Sequence, residues 1–254
     1  MSKIELITND LGSHLLSQFE KASTICILTS FVMKSGVAFL KDALASAAKA
    51  GADIKICTGD YLYITQPDGL AELIAINDNI EVRLWKSNGV SFHPKAYLFK
   101  SDIEDCVFIG SSNLSKSALN NGIEWNLSVS NDKTVFDDAL DEFLNVFYAD
   151  QTVKLNDETL KDYKQAYEHF HKDTPNLAKV WSDTEELDLM LPTQKDLSVQ
   201  PEIIHDPPIS GTYGEIKPRF AQVEALEELD KTREEEYQKA LVVMATGLGK
   251  TYLA

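Results

Sequence analysis

Basic residues are scarce in this 254-residue chain: 24 Lys and Arg face 40 Asp and Glu, a formal net charge of −16. That balance excludes a protein held on nucleic acid by bulk charge, since such binding grows with the phosphates that Lys and Arg neutralise. Cysteine is scarce too. Cys26, Cys57 and Cys106 lie in or beside apolar runs, with no Cys-x-x-Cys and no His-rich zinc spacing. They read as small buried hydrophobes in a reducing compartment, not as disulfide partners or metal ligands. No apolar run approaches the roughly 20 residues that span a bilayer, so no membrane partner is expected. The opening MSKIELITND lacks the apolar core of a signal peptide, and a cytoplasmic location is expected. Proline is nearly absent before residue 174. Six of the eight prolines then fall between 174 and 218: Pro175, Pro192, Pro201, Pro207, Pro208 and Pro218.

What is present is a regular alternation. Hydrophobic residues make up 44%, enough for a globular core. Lys3 to Ile7 reads as a strand and Leu11 to Ala22 as a helix with Leu15, Leu16 and Phe19 on one side. The run Thr24 to Val32, TICILTSFV, reads as a strand buried on both faces. Ser35 to Ala50 reads as a helix ended by Gly51. Ile54 to Thr58 is a strand, 68–77 a helix and Ile80 to Trp85 a strand. Ala96 to Phe99 and Cys106 to Ile109 follow as short buried strands, then Ser115 to Asn120 as a helix capped by Asn113 or Ser115. Ile123 to Val129 reads as a strand carrying Glu124. Val135 to Phe147 reads as an amphipathic helix with Val135, Ala139, Leu140, Phe143, Leu144 and Phe147 inward. Leu160, Tyr163, Tyr167 and Phe170 mark another helix, whose aromatics read as core or dimer packing before base stacking. The fold class is therefore α/β, a mixed sheet with helices on both faces.

The chemistry concentrates in 92–126, FHPKAYLFKSDIEDCVFIGSSNLSKSALNNGIEWN. His93 and Lys95 are two apart, so on a strand both point to one face. Gly110-Ser111-Ser112-Asn113 supplies a hydroxyl and a carboxamide, and Glu124 follows. An imidazole, an ammonium, a hydroxyl and an amide together suit an anionic phosphate. The start of the following helix would add backbone N–H groups. The setting is locally basic: Arg83, Lys86, Lys95 and Lys100 stand against Glu81 alone within 81–100. His14, His169, His171 and His205 lack any such surroundings and read as surface or linker residues.

His-x-Lys followed by Gly-Ser-x-Asn resembles the phospholipase D superfamily. Asn113 follows His93 by 20 residues and Glu124 follows Asn113 by 11, the spacing of the nuclease branch with one motif per chain. Lys100 stands where the broader family has an Asp, which argues against the lipid-hydrolysing branch. The resemblance implies a metal-independent phosphodiesterase, with no cofactor for this domain. His93 would attack phosphorus to give a phosphohistidine. Lys95, Asn113 and Ser111 would stabilise the phosphoryl charge, and Glu124 would fix the His93 ring. It also implies a homodimer, in which the partner's copy of His93 serves as acid and base. Trp125 and Phe92 are the candidates for its apolar interface. Two other readings stay open: a non-catalytic DNA-docking or dimerisation module, and a lipid phosphodiesterase.

A second motif closes the chain. Arg219 to Leu229 reads as a helix and Ala240 to Met244 as a strand leading into Ala245-Thr246-Gly247-Leu248-Gly249-Lys250-Thr251. Such a loop wraps a phosphate in backbone amides. Met244 replaces the first glycine of the usual phosphate-loop pattern. That departure, with Arg219-Phe220-Ala221-Gln222 upstream, resembles the opening of a superfamily 2 DEAD/DEAH-type helicase. The resemblance implies ATP and Mg²⁺ as ligands of a full-length helicase. Gln222 would meet adenine, Gly247 and Gly249 the phosphates, Lys250 the β and γ phosphates, and Thr251 the metal. ATP hydrolysis by 219–254 alone is not expected. The organisation expected is a nuclease-like domain over 1–173, a linker over 174–218 and the start of a helicase domain over 219–254, with DNA as the partner.

Overall fold

The structure, a computed structural model, describes residues 2–173 and, beyond them, Lys231 alone. The elements run β1 (Lys3–Ile7), α1 (Leu11–Phe19), β2 (Thr24–Thr29), α2 (Lys34–Lys49), β3 (Asp53–Gly59), α3 (Pro67–Ile74) and β4 (Ile80–Trp85). They continue β5 (Lys95–Lys100), β6 (Cys106–Gly110), α4 (Lys116–Asn120), β7 (Asn126–Ser130), α5 (Lys133–Phe147), β8 (Thr152–Lys154) and α6 (Asp157–Asp173). A single 3-10 turn, Tyr61–Tyr63, links β3 to α3. One eight-stranded sheet results, in the order β1-β7-β6-β5-β2-β3-β4-β8. β2, β3 and β4 are parallel, and the remaining neighbours are antiparallel. This is the mixed, helix-flanked sheet that the alternation implies.

Period-two burial builds the two faces. Ile25 and Ile27 of β2, Ile54 and Ile56 of β3, and Tyr97 and Phe99 of β5 face one cluster with α1, α2 and α3. Their strand neighbours Cys26, Leu28, Cys57 and Leu98 face the other, under Phe136, Phe143 and Phe147 of α5. Truncating Phe143 to Ala is expected to cost about 3–5 kcal/mol, the usual toll for a buried aromatic. The α5 stripe differs from the sequence reading by one position: Phe136 is buried, whereas Val135 is 37% exposed. Phe136 with Leu140, Phe143 and Phe147 keeps the helical period, and Val135 falls outside that arc.

Several boundaries move. α1 stops at Phe19, three residues short of the expected end. β2 stops at Thr29, although Val32 still bridges Leu114. α2 ends as read, with Gly51 left-handed at φ 94°, a conformation glycine adopts without a Cβ clash. The strand expected over 123–129 begins only at Asn126, so Glu124 lies on the loop before β7. β8 has only three residues and no reading of it was made from sequence.

α6 packs inward. Tyr163 is buried, its hydroxyl donating to Thr65 O at 2.7 Å. Tyr63 stacks on Tyr163 with ring centroids 5.8 Å apart. His171 Nε2 lies 2.9 Å from Tyr63 O, which corrects its reading as a surface residue. The aromatics of α6 thus serve packing. Among the described residues no helix is long and apolar enough to cross a membrane.

Candidate active site

Strand direction gathers the site at one end of the sheet. β2 and β6 end where β5 and β7 begin, since these neighbours are antiparallel. Thr29 therefore pairs with Lys95, and Gly110 pairs with Asn126. β3 runs parallel to β2, and its exit brings Tyr61 to the same end.

His93 and Lys95 meet, although only Lys95 is on the strand. Lys95 Nζ is 3.2 Å from His93 Nδ1, 3.0 Å from His93 O and 3.2 Å from Ser30 Oγ. An ammonium has donors only, so Nδ1 accepts and a neutral ring carries its proton on Nε2. Phe31 and Tyr61 set their rings edge-on to the imidazole, at 5.3 and 5.6 Å between centroids. Burial pushes the His93 pKa down, and the Lys95 charge pushes it further. The ring is thereby biased to the neutral form a nucleophile needs. Burial also lowers Lys95, with the Glu124 carboxylate opposing.

The Gly-Ser-Ser-Asn turn is fixed from two sides. Gly110 permits a close approach: a Cβ there would lie 2.2 Å from Trp125 O. Asn113 Oδ1 accepts from Phe31 N–H at 3.2 Å, with Thr29 Oγ1 at 3.5 Å. That assignment commits the carbonyl of the amide inward and leaves its NH₂ as the available donor. Ser115 caps α4 through Ala118 N–H, and Ser35 Oγ takes Lys116 N–H. Those two N–H groups are thus already occupied, contrary to the expectation that this helix start faces a phosphate.

Ser111 and Glu124 form a second pair. The Ser111 hydroxyl donates to Glu124 Oε2 in a short hydrogen bond and accepts from Trp125 N–H at 2.9 Å. This corrects the role read for Glu124. Within one chain it meets Ser111 and not the His93 ring, because the loop before β7 lies against the end of β6. Phe92 is also corrected: it is buried and stacks on Trp85 at 4.7 Å. Trp125, in contrast, is 64% exposed and Ile123 94% exposed. Lys86, part of the basic setting read over 81–100, is half-buried with its Nζ 3.8 Å from Asp60.

Sequence reasoning passed over Thr29, Ser30, Phe31 and Tyr61. Thr29 and Ser30 carried a signal, since they are hydroxyls interrupting an apolar buried run. Among the described residues no group of three His, Cys, Asp or Glu is arranged to hold a metal ion. Gln222, Gly247, Gly249, Lys250 and Thr251 lie outside the described residues, as do the expected linker and the helix and strand before the phosphate loop.

An α/β domain with a His-x-Lys pair at the sheet end defines a phospholipase D-like class. Residues 15–147, more than half of the chain, match the family described as "Cardiolipin synthase, PLD-like domain", and the chain belongs to that family. Residues 215–254 match "Type III restriction enzyme, res subunit", which fits a helicase-type segment following the first domain. Comparison with curated proteins gives no match. Among solved structures, the phospholipase D family member Nuc from Salmonella typhimurium is 20% identical with a TM-score of 0.50, covering 61% of this chain and 99% of its own. Phosphatidylserine synthase from Haemophilus influenzae is 15% identical with a TM-score of 0.51, covering 75% of this chain and 48% of its own. At these identities the likeness is one of fold.

Proposed function

We propose that the chain is a metal-independent nuclease acting on DNA, completed by a second copy of itself and serving an attached helicase. The observation that carries this reading is the neutral-biased His93 held against Lys95 at an open surface, with one such pair per chain. In the reaction, a ring nitrogen of His93 attacks phosphorus with its lone pair. The bond from phosphorus to the leaving oxygen breaks, and that oxygen takes a proton from the partner's His93. Water then attacks the phosphohistidine, giving its proton back to the partner's ring and restoring His93. Attack through Nε2 requires the ring proton on Nδ1, so an incoming phosphate oxygen must take the Lys95 donor now spent on Nδ1. Lys95 and the Asn113 NH₂ then stabilise the charge on the non-bridging oxygens.

A second copy is supported by an uncovered apolar row beside the site. Leu6 pairs with Leu127 and Leu127 with Ile109, so all three share one face, and all three are exposed. It is the face on which α5 covers Leu98 and Val107 nearer the centre. Trp125 and Ile123, on the loop before β7, are exposed as well. An isologous contact uses the same patch on both chains, and this row is available for one. DNA and a restriction role are supported by the likeness of 215–254 to a restriction-enzyme subunit.

The experiment is release of acid-soluble fragments from single- and double-stranded DNA and RNA with EDTA present. Cleavage that persists under chelation supports the reading; cleavage that needs added Mg²⁺ overturns the mechanism. A phosphatidylglycerol arm addresses the lipid reading that the family description and the phosphatidylserine synthase likeness carry. A mixing experiment tests the shared site. After proven exchange with excess His93→Ala chains, activity should fall below the wild-type fraction.

A further inference from the structure

Ser30 is a polar side chain where the sequence calls for an apolar one. It directly follows β2 and is fully buried. A buried hydroxyl without partners is costly, so its partners define its purpose. Ser30 Oγ lies 3.1 Å from Pro94 O and 3.2 Å from Lys95 Nζ. A carbonyl can only accept and an ammonium can only donate. The hydroxyl proton is therefore committed to Pro94 O, and its lone pairs face Lys95. One side chain thus holds both the backbone between His93 and Lys95 and the lysine head group.

The Ser30 backbone is itself held in place. Thr58 Oγ1 donates to Ser30 O at 3.4 Å and lies 3.4 Å from Thr65 Oγ1. Thr65 Oγ1 donates to Gly59 O at 3.0 Å, and Thr58 and Thr65 are both fully buried. Buried hydroxyls of β3 and the loop after it thus hold the Ser30 backbone, and the Ser30 hydroxyl in turn meets the His-x-Lys pair. Thr29, one residue earlier, points the other way and lies 3.5 Å from Asn113 Oδ1.

We propose that Ser30 is a positioning residue for Lys95, fixing the ammonium beside the His93 ring so that it meets a phosphoryl oxygen without searching for its place. The proposal rests on the reading of His93 and Lys95 as a phosphodiester site. Ser30 does not touch substrate; it acts through Lys95. The titratable groups that act on Lys95 are His93 and Glu124, and neither replaces the Ser30 acceptor.

The test uses the whole chain with Ser30→Ala and, to keep side-chain volume while weakening the acceptor, Ser30→Cys. Lys95 is titrated by NMR with isotope-labelled lysine, its signal assigned through Lys95→Arg. Hydrolysis of bis(p-nitrophenyl) phosphate gives kcat and KM across pH. Loss of an acceptor for the charged form should move the Lys95 midpoint to lower pH in both variants. kcat should fall about 10- to 100-fold with little change in KM, the scale of a hydrogen bond to a charged group. The basic limb of the kcat profile should move down with Lys95, and Thr29→Val should leave the Lys95 midpoint in place. An unmoved or raised midpoint in both Ser30 variants overturns the proposal. A lowered midpoint in a wild-type background that hydrolyses nothing leaves Ser30 positioning Lys95 and sinks the phosphodiesterase reading instead.

Discussion

On the β2–β5 side of the site, His93 and Lys95 are held from beneath by the buried Ser30 hydroxyl just after β2; on the β6–β7 side, Ser111 and Glu124 hold each other beside exposed Trp125 and Ile123. The first side is stiff because its anchors are buried and have nowhere else to bond. The second is tied locally, on a loop, and is flanked by apolar surface that water covers poorly. On the proposed reading the contrast is a division of labour: the β2–β5 side carries the reacting groups of one chain, while the β6–β7 side receives the second copy.

The largest effect should come from breaking the stiff side. His93→Ala is expected to abolish turnover, with no phosphohistidine trapped by alkaline quench, while far-ultraviolet circular dichroism stays unchanged. A variant that cuts DNA at the wild-type rate refutes the assignment. Next comes the receiving side. Leu127→Lys puts a charge in the middle of the exposed row Leu6–Leu127–Ile109, where a monomer tolerates it. It should convert a dimer to a monomer by light scattering and remove most activity, restored by neither higher substrate nor longer incubation. Full activity in a proven monomer would break the comparison.

Smaller losses should sharpen it. Ser111→Ala and Glu124→Gln are each expected to cost about tenfold in kcat, because both retain Lys95 and Asn113. Since the two side chains bond each other, the double variant should lose little more than either alone. Additive losses would show that they act separately. The smallest effect is electrostatic. The Lys95 charge helps hold the His93 pKa below 6.5, so Lys95→Met should raise the His93 titration midpoint. It should stop short of the ordinary value, because burial, the larger cause, remains. A midpoint that falls would contradict this account.

Much of this was legible. β4 was readable end to end because Ile80 to Trp85 is a compact apolar run between turns. That His93, Lys95 and Asn113 gather at one end of the sheet was legible because antiparallel strands of fixed length set their spacing. What misled were residues whose polarity does not match their burial. Ile123 and Trp125 look like strand residues but stand in solvent on a loop. Thr29 and Ser30 vanish into a strand pattern, yet they touch both motifs. Glu124 was given to His93 because spacing along the chain does not say which side chain reaches it first. β8 escaped because three residues cannot display a period.

The pairing of β1 with β7 has a consequence in time. Lys3 lies opposite Ser130, 127 positions later, so β1 leaves the ribosome well before the strand it pairs with. At usual synthesis rates the delay is roughly 6–25 s. Throughout it, Ile4 and Leu6 sit on a strand with no neighbour, the kind of edge that recruits other chains. Lys3 and Glu5, paired at 2.8 Å in the finished fold, are the charges that discourage such recruitment. The β6–β7 end of the site closes with the same late step, so a nascent chain carries His93 and Lys95 long before Glu124 arrives.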